Sequence, residues 1–198
     1  MLVASALALA IERVAYGVIW HRPDLFTRFC RGVAPTRDPV DVLAALFVGF
    51  KGIQAVVFLA WCLVHGGIAA RDSGEVPWLV SGVGLLAAGQ ILNVSVFLRL
   101  GRTGVFYGNK LGHDVPWCEG FPFSAIRHPQ YVGTVLSIWG IFVLARYPAP
   151  DWAVLPLLET LYYAIGSVVE QGEARAALTL DDPDPATTAA PRASAPLP

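Results

Sequence analysis

Two long apolar runs constrain this chain more than anything else in it. Residues 42–65 and 77–98 are each long enough to cross the hydrocarbon core of a bilayer, which takes about 20 apolar residues as a helix. Three further stretches follow the same pattern: 2–20, interrupted by Glu12 and Arg13, and the shorter 130–147 and 152–170. Tyr147-Pro148-Ala149-Pro150-Asp151 separates the last two, and its prolines end one helix and allow the next to begin. The pattern predicts an all-α integral membrane bundle of four to five transmembrane helices, closed by a C-terminal helical hairpin.

Composition agrees. Of 198 residues, 55% are hydrophobic and 15% charged, against about one quarter charged in ordinary soluble domains. The formal net charge of −1 leaves no basic stripe to neutralise nucleic-acid phosphates. Cys30, Cys62 and Cys118 are scattered and carry no CxxC spacing, which argues against a zinc site or a disulfide framework. The first twenty residues lack a basic n-region and read as a retained helix rather than a cleaved signal. After about residue 178 the chain turns to Pro, Ala, Thr and Ser. A transmembrane domain over 1–178 and a disordered tail over 179–198 are therefore expected.

Orientation follows from basic residues in the loops. The segment 21–41 carries Arg22, Arg28, Arg31 and Arg37, and the segment 99–128 carries Arg99, Arg102, Lys110 and Arg127. Segment 66–76 has only Arg71 and the hairpin tip only Arg146, so the two basic segments belong on the cytosolic side.

Several polar groups need a reason to be in apolar surroundings. Lys51, Glu159, Gln90 and Asn93 fall within spans, where a charge costs on the order of 2.5–3.5 kcal/mol. They read either as lining of a polar cavity or as pairs that hold helices together, and for Gln90 and Asn93 helix contact is the favoured reading. The connector 99–128 is too long for a plain link and too aromatic for disorder, so it is the site candidate from physics alone. Its Trp117, Phe121 and Phe123 suit the headgroup interface. Glu170 closes the last span at the same face, eleven residues and about three turns after Glu159. Segments 101–131 and 170–175 are thus expected to converge on one membrane face.

With those segments in view, AAGQILNVSVFLRLGRTGVFYGNKLGHDVPWCEGFPFSAIRHPQYVGTVLS resembles the phospholipid N-methyltransferases, closest to the short plant-type form. The resemblance covers roughly 77–175. It rests on the glycine pattern between Gly101 and Gly112, on Phe121-Pro122-Phe123, and on Pro129-Gln130-Tyr131-Val132-Gly133.

It implies methyl transfer from S-adenosylmethionine to phospholipid headgroups, from phosphatidyl-N-methylethanolamine through the dimethyl form to phosphatidylcholine. It also implies a membrane phospholipid as partner, an endoplasmic-reticulum membrane and an active site facing the cytosol. The family's cofactor segments fall on Ala87-Ala88-Gly89, with Ala87 where a glycine is usual, and on Glu170-Gln171, with Gln171 where a second glutamate is usual. His128-Pro129 is closer to the isoprenylcysteine carboxyl methyltransferases, which makes that activity the alternative; a non-enzymatic membrane scaffold is another.

No metal is needed, because a sulfonium is already electrophilic. The protein must position the reactants and provide a neutral amine. The expected catalytic residues are His128, Tyr131 and Glu170, with His113–Asp114 as another possible proton acceptor. Glu170 is expected to hold the cofactor, Tyr131 the methylated amine by cation–π attraction, and Arg127 or Lys110 the lipid phosphate.

Overall fold

The computed structural model describes residues 1–68, 76–116 and 118–181, with side chains described as far as Glu170. Every regular element among them is helical: α1 (Leu2–His21), α2 (Pro23–Val33), α3 (Pro39–Val64), α4 (Val76–Val105), α5 (Pro129–Ala145) and α6 (Val154–Asp181). α1, α3 and α4 are long and apolar enough to cross a membrane, and α5 is a shorter apolar helix of 17 residues. The apolar side chains facing outward along them, Leu7, Val14, Val56, Leu63 and Val94 among others, are what a lipid-facing surface requires. The fold is that of an integral membrane helical bundle.

The helix starts follow local chemistry. Asp38 caps α3 by accepting a hydrogen bond from the Val40 amide at 2.8 Å, and Pro39 takes the first helical position. Pro23 and Pro129 do the same for α2 and α5.

α1 forms through Glu12 and Arg13 because both charges are paired. The buried Glu12 carboxylate accepts from Arg13 Nη2 at 2.6 Å and meets Lys51 Nζ of α3 at 3.1 Å. The partner of Lys51 is therefore Glu12. Glu159 instead accepts from the Gln54 amide at 2.6 Å.

Two boundaries differ from the apolar runs. Within 21–41, α2 is a helix whose Phe26 and Cys30 pack on the bundle while Leu25, Phe29 and Val33 stay exposed. Five apolar residues at helical spacing inside an arginine-rich segment were masked by that segment's low overall hydropathy. α4 also continues past residue 98 to Val105, bent at Gly101, where φ is +62°. Glycine reaches that conformation without strain, so the chain turns and resumes its helix. The irregular connector is thus 106–128.

Packing fixes an alternating order. Glu12 meets Lys51, and Ile19 shares a cluster with Leu43, so α1 and α3 run antiparallel. α4 and α5 are antiparallel and lie in the closest contact of the fold. A Cβ added at Gly133 would stand 2.8 Å from the Gly89 carbonyl oxygen and 2.6 Å from Asn93 Oδ1. Small residues let membrane helices approach this closely.

Trp139 Nε1 donates to Thr160 Oγ1 at 3.0 Å across the α5–α6 hairpin. At the hairpin tip, Arg146 is not a free surface charge. It is 2% exposed, paired with Asp151, and donates to the carbonyls of His65 and Gly67. Trp61 Nε1 also donates to Asp151 at 2.7 Å. This clamp ties α3 to the hairpin on the face where α1 begins. The ends of α1, α4 and α6 and the starts of α3 and α5 gather with the 106–128 connector on the opposite face.

Candidate active site

Gly108 could not carry a side chain, since its Cβ would lie 2.6 Å from the Thr103 carbonyl oxygen. Its amide instead donates to that oxygen at 2.8 Å, folding the connector back under α4. The fold aims Tyr107 inward, with φ of +53°, a left-handed value uncommon outside glycine. The adjacent Phe106 is buried against Phe47 at 5.5 Å, and the Tyr107 ring packs edge-on against Tyr16 and Trp20 of α1, each at 5.5 Å.

The phenols of Tyr107 and Tyr131 meet one carboxylate. Tyr107 Oη donates to Glu170 Oε1 at 2.7 Å, Tyr131 Oη donates to the same oxygen, and the two phenol oxygens are 3.4 Å apart. Burial, with the Tyr131 phenol and the Glu170 carboxylate close by, pushes the Tyr107 phenol well above its usual range. It therefore stays protonated and donating. His128, at the α5 N-cap, stacks its ring on Tyr131 at 5.8 Å and 19°. Burial lowers its pKa, and Arg127 adds to that against the opposing pull of Glu170, so its neutral form is favoured.

These residues stand at one end of a cavity of about 620 Å³, within the range typical of small-molecule sites. α3 contributes Phe47, Lys51 and Gln54, α4 contributes Gln90 and Asn93, and Phe123, Arg127 and Gln130 line the connector side. Glu12, Arg13 and Tyr163 line it further in. Gln90 donates to Ser137 Oγ at 2.9 Å, so it both ties α4 to α5 and faces the cavity. Asn93 lines the cavity too, and its Oδ1 is buried without a hydrogen-bond partner. Lys51 likewise serves both readings: it bridges α1 to α3 and lines the cavity.

The structure brings His128, Tyr131 and Glu170 together and adds Tyr107, which the sequence reading passed over. Ala87 and Ala88 are exposed on α4 and stand outside the cavity lining, and Gly89 is buried in the α4–α5 contact. Next along α4, Gln90 and, about one turn after Gly89, Asn93 supply the polar atoms that face the cavity. The side chain of Gln171, Trp117 and the tail beyond Asp181 lie outside the described residues. His113 sits 3.0 Å from Asp38 at the α3 N-cap, away from the cavity, and Lys110 rests its ammonium 4.3 Å from the Trp20 ring. A signal for Tyr107 was present in principle: an aromatic residue between two glycines of a tight return, Gly104 and Gly108.

Comparison with known proteins decides the family. Residues 77–173 match the family model for phospholipid methyltransferase. A phosphatidyl-N-methylethanolamine N-methyltransferase of Arabidopsis thaliana is 48% identical over 139 residues, 68% of this chain and 74% of that protein. The chain belongs to the phospholipid methyltransferase family.

A second member, a phosphatidyl-N-methylethanolamine N-methyltransferase of Saccharomyces cerevisiae, is 37% identical over 131 residues, 66% of this chain and 61% of that protein. A phosphatidylethanolamine N-methyltransferase of Rattus norvegicus is 30% identical over 101 residues, 50% of this chain and 49% of its own. No solved structure matches the chain. Within this methyltransferase the family match spans α4 through most of α6, and α1 and α3 complete the cavity from outside it.

Proposed function

We propose that this methyltransferase transfers methyl groups from S-adenosylmethionine to the amine of a phospholipid headgroup. It would convert phosphatidyl-N-methylethanolamine, through the dimethyl form, to phosphatidylcholine. The observation that carries the reading is the meeting of Tyr107, Tyr131 and Glu170 in a cavity of about 620 Å³, in a chain of this family.

The cavity suits the methyl donor. Glu170 offers a carboxylate at one end, and the partnerless Asn93 Oδ1 offers a buried acceptor, with Gln90 beside it one turn away. Asn93, Gln90 and Glu170 would hold the donor, which supplies an electrophilic methyl on sulfur when bound. No nucleophilic side chain is then required.

The protein's own groups have two tasks. Each round needs the headgroup amine to lose a proton before its lone pair can attack. The neutral imidazole of His128 can accept that proton, as can Glu170 through a phenol. Tyr107 and Tyr131 fix the Glu170 carboxylate toward the cavity and keep its negative charge near the cationic reactants. Preorganised charge of this kind acts strongly where water is excluded. Arg127, exposed at the rim, is placed to meet the lipid phosphate. The arginine-rich face carrying the site would be cytosolic, and the membrane that of the endoplasmic reticulum.

The test is incubation of the purified protein in phospholipid nanodiscs with methyl-labelled S-adenosylmethionine. Labelled dimethyl and trimethyl lipids are expected from the monomethyl substrate. His128-Pro129 favours one second reading, methyl transfer to a prenylcysteine carboxylate. Label appearing in a prenylcysteine ester and in no phospholipid would replace the proposal.

A further inference from the structure

Deeper in the cavity, one cation sits among three tyrosine rings from three helices. The Arg13 guanidinium carbon lies 4.0 Å from the ring centroid of Tyr163 on α6, 5.5 Å from Tyr16 on α1 and 6.0 Å from Tyr131 on α5. All four residues line the cavity. Tyr131 and Tyr163 meet edge to face at 5.3 Å and 69°, so their relative placement is fixed by packing. Aromatic faces arranged around one position attract a cation through their quadrupoles, and methylated ammonium groups are the cations such cages recognise.

We propose that Tyr16, Tyr131 and Tyr163 form the binding site for the methylated ammonium of the headgroup, with Arg13 as the resident cation that the headgroup displaces. The inference rests on the phospholipid reading above and adds the site and the rule of exchange.

Three features support it. Arg13 and Lys51 already share the one Glu12 carboxylate, at 2.6 and 3.1 Å, so an ammonium entering the rings at low dielectric lacks a counter-charge unless Arg13 leaves. Arg13 can leave without stranding a charge, because Glu12 stays paired with Lys51 at 3.1 Å. Tyr131 also belongs to the Glu170 cluster, so an ammonium in the cage lies beside the carboxylate that governs the reaction.

The trimethylammonium product is the cation a cage of this kind holds best, and product release would stall without a competitor. Arg13 is that competitor. α1 lies outside the family match at 77–173, so recognition of the headgroup draws on a helix that match does not cover.

Inhibition of labelled methyl transfer by added phosphatidylcholine, in detergent micelles with the monomethyl lipid as substrate, tests this. Arg13→Gln is expected to strengthen product inhibition by roughly three- to tenfold, the scale of a cation–π contact. Arg13→Lys, which keeps a cation, is expected to stay near wild type. Tyr163→Leu is expected to weaken product inhibition by about tenfold and Tyr163→Phe to retain it.

Unchanged inhibition in Arg13→Gln would overturn the proposal. So would equal damage from Tyr163→Phe and Tyr163→Leu, which would point to the phenol, which accepts from Lys51 Nζ at 3.4 Å, rather than the ring. The Tyr163 pair decides the matter if Arg13→Gln fails to fold. A wild-type protein that methylates no phospholipid removes the functional reading itself, and the cage with it.

Discussion

Tyr131 and Glu170, 39 residues apart on two antiparallel helices, meet phenol to carboxylate at the mouth of the cavity. Tyr107 reaches the same oxygen from the 106–128 connector. Two donors on one oxygen leave the carboxylate little freedom to rotate, so its second oxygen stays available to a ligand. Tyr107→Phe removes one charge-assisted bond worth about 1.5–3 kcal/mol. Its kcat/KM is expected to fall by roughly tenfold or more, with correct insertion and a melting temperature lowered only by the lost bond. Steady-state methylation of the monomethyl lipid, beside a melting curve, checks this.

His128 is placed to help rather than to be indispensable. Its ring stacks on Tyr131, and under the proposal the phenol–carboxylate cluster gives the amine proton a second route. His128→Asn is expected to lower kcat by less than about tenfold, whereas loss of a sole general base costs 10²–10⁴. Since burial favours the neutral imidazole, the wild-type acid limb is expected below the ordinary histidine range, and His128→Asn is expected to shift it. A pH–rate profile of both proteins gives the answer.

The α4–α5 contact is built on absent side chains. At Gly133 a methyl group would meet the Gly89 carbonyl and Asn93 Oδ1, and the carbonyl cannot move without shifting the helix. Gly133→Ala is expected to destabilise the protein by about 1–3 kcal/mol and to lower its melting temperature in detergent. Gly84→Ala, on α4 with open space around it, is expected to leave the melting temperature near wild type.

Most of the fold is readable in the sequence, because crossing a bilayer demands long apolar runs and tolerates few alternatives. The run 42–65 reaches one residue past the end of α3, 77–98 lies within α4, and the proline break 147–151 lies in the turn between α5 and α6. α2 is hidden because it balances arginine against leucine and phenylalanine, and window hydropathy averages these away. Glu170 and Tyr131 could be singled out by type and position. Tyr107 is marked only by the glycines on either side of it, since its role depends on a left-handed backbone that turns the ring inward. Nor does spacing along the chain reveal that Lys51 pairs with Glu12 rather than Glu159, a choice made by helix packing.

The clamp on the far face has its own pH signature. Burial alone would raise the Asp151 carboxyl, but hydrogen bonds from Arg146 and Trp61 outweigh it and hold the carboxyl below its usual range. A depressed carboxylate contributes stability that is present above its unfolded pKa and lost as pH falls through the folded value. Melting temperature is therefore expected to drop on acidification below about pH 4. In Asp151→Asn that share of the acid dependence is expected to disappear, and stability at neutral pH to be lower, because the buried Arg146 loses its counter-charge.

Both phenols meet Glu170, and the proposed donor site and proton route depend on it. The most direct test is the affinity of folded, membrane-inserted Glu170→Ala for S-adenosylmethionine, measured by equilibrium binding beside wild type. A loss of roughly ten- to a hundredfold is expected, the scale of a charge-assisted hydrogen bond. A variant that is correctly inserted and binds the donor as tightly as wild type would contradict the account.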